Sequence, residues 1–214
     1  DESAIKVDWD FIGVQYYCRL LVKPVPVPGL WGVPWPSKDH RSFDVSGMGQ
    51  EIQADGLYEA LQMVNDLPGD HRMVITENGV TVPDRLVDGR VRDVRRVAFY
   101  QDHLAEVARA RRDGLPVDGY FCWSLMDNFE WASGYAKRFG IVHVDYPSLT
   151  RTPKDSYFWY RDFLQAQRAA QRSSTCSTAR KASWGISTCP TCFMRFLPSF
   201  CFSRSLRLRL MSPP

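Results

Sequence analysis

The chain lacks several things, and each lack narrows the reading. It has no run of about 18 apolar residues, so no transmembrane helix is expected. Its opening, "DESAIKVDWD", has neither a basic region nor an apolar core, so it is not a signal peptide. It also lacks an initiator Met, and the chain is expected to begin inside a longer one. Cysteine is scarce over most of the length: only Cys18 and Cys122 precede residue 173. Two lone cysteines in apolar runs read as small buried hydrophobes in a reducing compartment, hence a cytoplasmic setting. Acid is absent from residues 173–214, which carry six Lys/Arg and four cysteines. The other 172 residues then hold 21 basic and 24 acidic residues, a body of −3 behind the net +3.

What is present suffices for a sizeable core. Of 214 residues, 44% are hydrophobic and 13% aromatic, enough for one domain or a large piece of one. "WDFIGVQYY" (9–17) reads as a strand apolar on both faces, as in a covered parallel sheet. "KPVPVPGLWGVPWPS" (23–37) is too rich in Pro and Gly for regular structure and reads as a long loop, with Trp31 and Trp35 on it. Leu57, Leu61 and Val64 share a helical face, and Pro68-Gly69 ends that helix. "RMVITENG" (72–79) is a second strand. After a charged turn, a helix is expected over about 92–113, with Val94, Val97, Ala98, Leu104, Val107 and Ala108 as its stripe and Gly114 as its stop. "VDGYFCWSLMDNFEW" (117–131) gives a third strand, "YAKRFGIVHVDY" (135–146) a short strand or hairpin, and "KDSYFWYRDFLQAQRAAQR" (154–172) a last helix.

Strand and helix thus alternate, which argues for a parallel sheet with right-handed crossovers. In such folds chemistry sits at the carboxyl ends of the strands. All three strands end unusually: Gln15-Tyr16-Tyr17, then Glu77-Asn78, then Asp127-Asn128 with Glu130-Trp131. Carboxylates and amides suit sugar hydroxyls, and indole faces suit the C–H faces of sugar rings. A strand-end carboxylate is a candidate nucleophile for an anomeric carbon. Tyr17, Trp123 and Phe139 are equally residue types that fill cores.

"ITENG", "GYFCWSLMDNFEWASGYAKRFGIVHVDY" and "RTPKDSYFWYRDFL" together resemble the carboxyl-terminal part of glycoside hydrolase family 1, the β-glucosidase family. The resemblance runs from about Trp9 to about Arg172. It implies an α/β fold of the (β/α)₈ TIM-barrel type, present here as a partial barrel containing the last three β/α units. It implies a retaining mechanism with Glu77 as nucleophile and Tyr17 as the tyrosine that hydrogen-bonds it. It implies that Glu130 and Trp131 bind glycone hydroxyls, that Trp123 is the platform under the sugar ring, and that Phe139 lines the same pocket. Gln15 stands where the family usually has Asn, and Gln50 where it often has Trp. Glu130 would repel a phosphate, so the expected substrate is an unphosphorylated β-glucoside, or a β-galactoside or β-fucoside. No cofactor, metal, nucleic acid or membrane partner is implied.

A retaining glycosidase needs two carboxyl groups about 5 Å apart. The family's acid/base Glu belongs to a T-x-N-E-P motif, and no such motif occurs here. The resemblance therefore supplies a nucleophile without its partner. It points to complementation by an amino-terminal half or to self-association, because three barrel strands have edges that a closed barrel lacks. An inactive fragment with weak sugar binding is the alternative. Residues 1–172 form the family part. Residues 173–214 match nothing in it, and read as a disordered, out-of-frame or foreign extension. Two further readings attach to that tail: a zinc site using Cys176, Cys189, Cys192 and Cys201, or a basic interaction module.

Overall fold

The computed structural model describes residues 9–20, 22–23, 33–34 and 44–182. Trp31, Trp35 and the cysteines at 189, 192 and 201 lie outside the described residues, as do the tail's zinc and interaction readings. In chain order the elements are β1 (Ile12–Tyr16), β2 (Val22–Lys23), β3 (Val33–Pro34), α1 (Asp55–Asn65), β4 (Met73–Asn78), β5 (Leu86–Val87), β6 (Arg90–Val91), α2 (Val94–Arg112), β7 (Val117–Cys122), β8 (Val142–Asp145), β9 (Thr150–Pro153) and α3 (Asp155–Ala182). A 3₁₀ turn, Trp131–Ser133, interrupts the loop between β7 and β8. Among the described residues no helix is long and apolar enough to cross a membrane.

The three expected strands form one parallel sheet in the order β1-β4-β7, with β4 in the middle. Parallel neighbours need crossovers, and α1 and α2 supply them. Both helices pack on one face of the sheet. Leu57 and Leu61 of α1 are fully buried there with Tyr100, Leu104 and Val107 of α2, against Val14, Tyr16, Met73, Ile75, Val117 and Tyr120. Burying each large side chain of this kind contributes about 1.5–3 kcal/mol relative to leaving it in water. On the other face Gly13 and Gln15 are exposed, and Phe121 is 63% exposed.

The buried face of α2 differs from the expected stripe. Leu104 and Val107 are buried, but Val94 is 69% exposed, and the inward positions are Arg96, Phe99, Tyr100, His103 and Ala110. A stripe drawn from aliphatic residues alone passes over Arg96, which is buried because Asp84 and Asp93 pair with it. The helix stops as expected. Gly114 takes φ +94°, and Gly114 and Leu115 return their N–H groups to Arg111 O (3.2 Å) and Ala110 O (3.0 Å). Arg109, Arg111 and Arg112 in its last turn suit the helix dipole.

The charged turn forms the β5–β6 hairpin, and the segment around "GIVHVDY" becomes the antiparallel hairpin β8–β9. Helix α3 begins after Pro153 and its backbone continues to Ala182, past the expected boundary at 172.

Candidate active site

The site assembles where β1, β4 and β7 end. Both strand pairings slip near that end. Val14 pairs with Ile75, but the next residue, Gln15, pairs with Glu77; between β4 and β7, Asn78 pairs with Cys122. Such irregularities re-aim side chains at strand ends. Here they set Gln15 beside Glu77.

"ENG" divides its work among three residues. Glu77 is half-buried and accepts a hydrogen bond from the Tyr17 hydroxyl at 2.6 Å. Asn78 is fully buried and ties the three strands together. Its Nδ2 donates to Tyr16 O (2.7 Å), its Oδ1 accepts from the Tyr120 hydroxyl (2.6 Å), and its carbonyl accepts from Trp123 N–H (2.8 Å). Gly79 lets the chain after β7 come close: a Cβ there would lie 1.7 Å from the Trp123 carbonyl oxygen. The Tyr100 hydroxyl donates to that same carbonyl at 3.2 Å, and the Trp123–Ser124 peptide bond is cis.

Around Glu77 the other predicted residues take up different places. Phe139 is buried and meets the Tyr17 ring edge-on, with centroids 6.0 Å apart. Glu130 lies on the loop between β7 and β8. Burial raises its carboxyl above the usual range, the Trp123 indole donating to it acts the other way, and the Glu77 charge raises it further. Burial likewise raises the Tyr17 phenol, with the hydrogen bond to Glu77 and the charges of Glu77 and Glu130 adding to it. Tyr17 is therefore a donor throughout the ordinary pH range. Tyr17, Glu77, Trp123, Glu130 and Phe139 thus form one linked set, with Gln15 at its edge. Trp131 stands apart, 83% exposed with φ +41°.

Asp127 and Asn128, two of the unusual strand-end residues, do not join this set. Asp127 is buried and pairs with Arg138 (2.6 Å) and Lys154 (2.8 Å). Asn128 Nδ2 donates to Ser124 Oγ (3.0 Å), a local turn contact. Sequence reading also passed over Gly79 and Tyr120 as supports of the site. The Gly in "ENG" was the available signal for the first, and the second has none short of knowing that β4 and β7 are neighbours. Among the described residues no group of three His, Cys, Asp or Glu side chains is placed to hold a metal ion.

The chain has counterparts among known proteins and solved structures. The 1,4-beta-D-glucan glucohydrolase of Thermotoga neapolitana is 40% identical over 166 residues, covering 77% of this chain and 36% of that protein. The bifunctional beta-D-glucosidase/beta-D-fucosidase of Bifidobacterium breve is 41% identical over 182 residues, covering 77% and 39%. Among solved structures, the GH1 beta-glucosidase of Exiguobacterium antarcticum superposes with a TM-score of 0.73 at 35% identity, covering 78% of this chain and 37% of that one. A beta-glucosidase from Thermotoga maritima in complex with glucoimidazole gives 0.67 at 40% identity, covering 74% and 35%. The chain therefore spans little more than a third of the length of these relatives. The fold is of the TIM-barrel type found in these enzymes. The family model for glycosyl hydrolase family 1 matches residues 1–169. With that match and identities of 40%, the chain belongs to glycosyl hydrolase family 1.

Proposed function

We propose that the chain carries the nucleophile and glycone-binding part of a retaining β-glucosidase, built on the last three β/α units of the barrel. Glu77 attacks the anomeric carbon of an unphosphorylated β-glucoside, or of a β-galactoside or β-fucoside. The bond to the leaving oxygen breaks as the glycosyl–Glu77 ester forms, and water later cleaves that ester with net retention. Tyr17 orients the nucleophile. Trp123 lies under the sugar ring, Glu130 and Trp131 take its hydroxyls, and Phe139 and Gln15 border the pocket. The acid/base that protonates the leaving oxygen comes from an amino-terminal half that complements this chain, while self-association is the other way to cover the edges of the sheet. Residues 1–172 do this work, and residues 173–214 are an appendage to it.

The observation that carries this reading is the Tyr17–Glu77 hydrogen bond of 2.6 Å at the end of the central strand. The β1-β4-β7 order supports the partial-barrel reading, since three consecutive β/α units of a barrel give adjacent parallel strands. The names of the relatives support the substrate class.

The test is covalent trapping with 2,4-dinitrophenyl 2-deoxy-2-fluoro-β-D-glucoside. Its leaving group needs no protonation, and the fluorine slows release of the sugar, so a nucleophile without its acid partner still reacts. Peptide mass spectrometry is expected to find the fluoroglucosyl group on Glu77. An unlabelled chain favours the second reading, an inactive fragment that at most binds sugar weakly.

A further inference from the structure

Behind the loop that carries Glu130 lies a charge cluster that the proposed chemistry does not use. The side chains of Asp84, Asp93, Arg96, Asp127 and Lys154 are all without exposed surface. Lys154 Nζ donates to Asp127 Oδ1 at 2.8 Å and also to Asp84. Arg96 grips Asp84 through Nη1 and Nη2, each at 3.1 Å, and reaches Arg138 O at 2.8 Å. Arg138 Nη1 completes the cluster on Asp127 at 2.6 Å. Three cations thus face three carboxylates.

Such a cluster is a poor route to stability, because taking the charges out of water offsets most of their attraction. Its value lies in geometry. Asp127 precedes Glu130 by three residues, and Arg138 precedes Phe139. The two ends of the loop between them are locked together. Gly140 N–H donates to Asp127 Oδ1 at 3.1 Å, and a Cβ on Gly140 would lie 2.1 Å from Asp127 N. Between those ends the Glu130 segment forms a turn of its own, with Glu130 N–H donating to Gly134 O (2.7 Å) and Ser133 N–H to Glu130 O (2.8 Å), and it is tied outward where the Tyr146 hydroxyl donates to Asn128 O (3.3 Å) and Lys137 Nζ donates to Gly47 O. Lys154 comes from a different element: it immediately precedes α3 and its N–H donates to Ile141 O at 2.9 Å.

We propose that Lys154 is a positioning residue for sugar recognition: through Asp127 it sets where Glu130 and Trp131 stand relative to Glu77, and so tunes glycone affinity. This inference rests on the glycosidase reading above. It assigns Lys154 to binding of the sugar and leaves bond breaking to Glu77.

The test uses the full chain and two variants. K154M removes the tether. K154M/D84N removes one charge of each sign, so the cluster stays neutral and folding is not confounded by an unpaired buried charge. Labelling by 2,4-dinitrophenyl 2-deoxy-2-fluoro-β-D-glucoside is followed over concentration, with amide hydrogen exchange measured on the same samples. In the double variant the half-saturating concentration is expected to rise at least about tenfold while the maximal labelling rate changes less than about threefold, a loss of binding rather than of chemistry. Exchange is expected to quicken in residues 127–140 and to hold steady in β4 and β7. Unchanged labelling constants in both variants would overturn the inference, as would equal loss of protection in the sheet and the loop. No labelling of the unaltered chain would sink the glycosidase reading first, and this inference with it.

Discussion

The Tyr17 hydroxyl donates to Glu77 Oε2 at 2.6 Å across two neighbouring strand ends that are 60 residues apart in the chain. The contact exists because the β1–β4 register slips after Val14, which sets the end of β1 beside Glu77. A phenol held by burial in its donor form fixes one carboxylate oxygen. In the proposed reaction the other oxygen attacks the anomeric carbon.

Tyr17→Phe removes that donor and little volume. A hydrogen bond to a charged group contributes about 1.5–3 kcal/mol, so labelling of Glu77 by the fluoroglucoside is expected to slow about 10- to 100-fold. The half-saturating concentration is expected to change much less, because the lost contact is to the proposed nucleophile and not to the sugar. The comparison is made by concentration-dependent labelling of the two chains side by side.

Asn78 makes a different claim, about the scaffold. Asn78→Leu removes the hydrogen bonds that Asn78 makes to the Tyr120 hydroxyl and the Tyr16 carbonyl in the core. Losing such a bond at a buried polar group costs about 1–3 kcal/mol, and the variant is expected to lose at least about 2 kcal/mol in urea unfolding. A stability within 0.5 kcal/mol (about the effect of an ordinary surface change) would mean that Asn78 does not tie the strand ends.

These two residues show what could be read from the chain in advance. Glu77, Tyr17 and Glu130 stand out because polar groups at the ends of apolar strands are locally conspicuous. The three strands and the helices between them follow from hydrophobic period and from Pro and Gly stops. What was not legible depends on pairing between distant segments. Asp127 belongs to the same conspicuous run as Glu130, yet it turns inward to Lys154 and Arg138. Nothing in "MDNFEW" says which acid faces sugar and which faces a lysine 27 residues later. Part of the inward face of α2 is hidden for the same reason: Leu104 and Val107 are buried as expected, but Arg96 turns inward because acids and carbonyls outside the helix pair with it.

His103 gives the fold a pH dependence. It stacks on Phe99 with centroids 3.8 Å apart, and Nδ1–H donates to the Phe99 carbonyl at 2.8 Å. Burial pushes its pKa down to about 4, against smaller opposing effects of that hydrogen bond and the Asp55 charge. The unfolded chain, at about 6.5, therefore binds the proton more readily than the folded one. Stability from this group is complete above about pH 6.5 and is lost as pH falls toward 4. Unfolding in urea at pH 7.5 and pH 5 is expected to differ by about 2 kcal/mol from His103 alone. His103→Leu is expected to flatten that difference, leaving a smaller slope from His143, whose pKa burial also lowers. An unchanged slope in the variant would place the titration elsewhere.

Glu77 is proposed as a nucleophile. Its most direct test is hydrolysis of p-nitrophenyl β-D-glucoside by the purified chain, beside Glu77→Gln, with sodium azide added to each. Azide attacks a glycosyl ester without needing a general base, so it substitutes for the deglycosylation partner that the chain is proposed to lack. Slow release of p-nitrophenol is expected, faster with azide and yielding β-glucosyl azide, with none of this in Glu77→Gln. Release that is equal in both chains, or absent from both with and without azide, would contradict it.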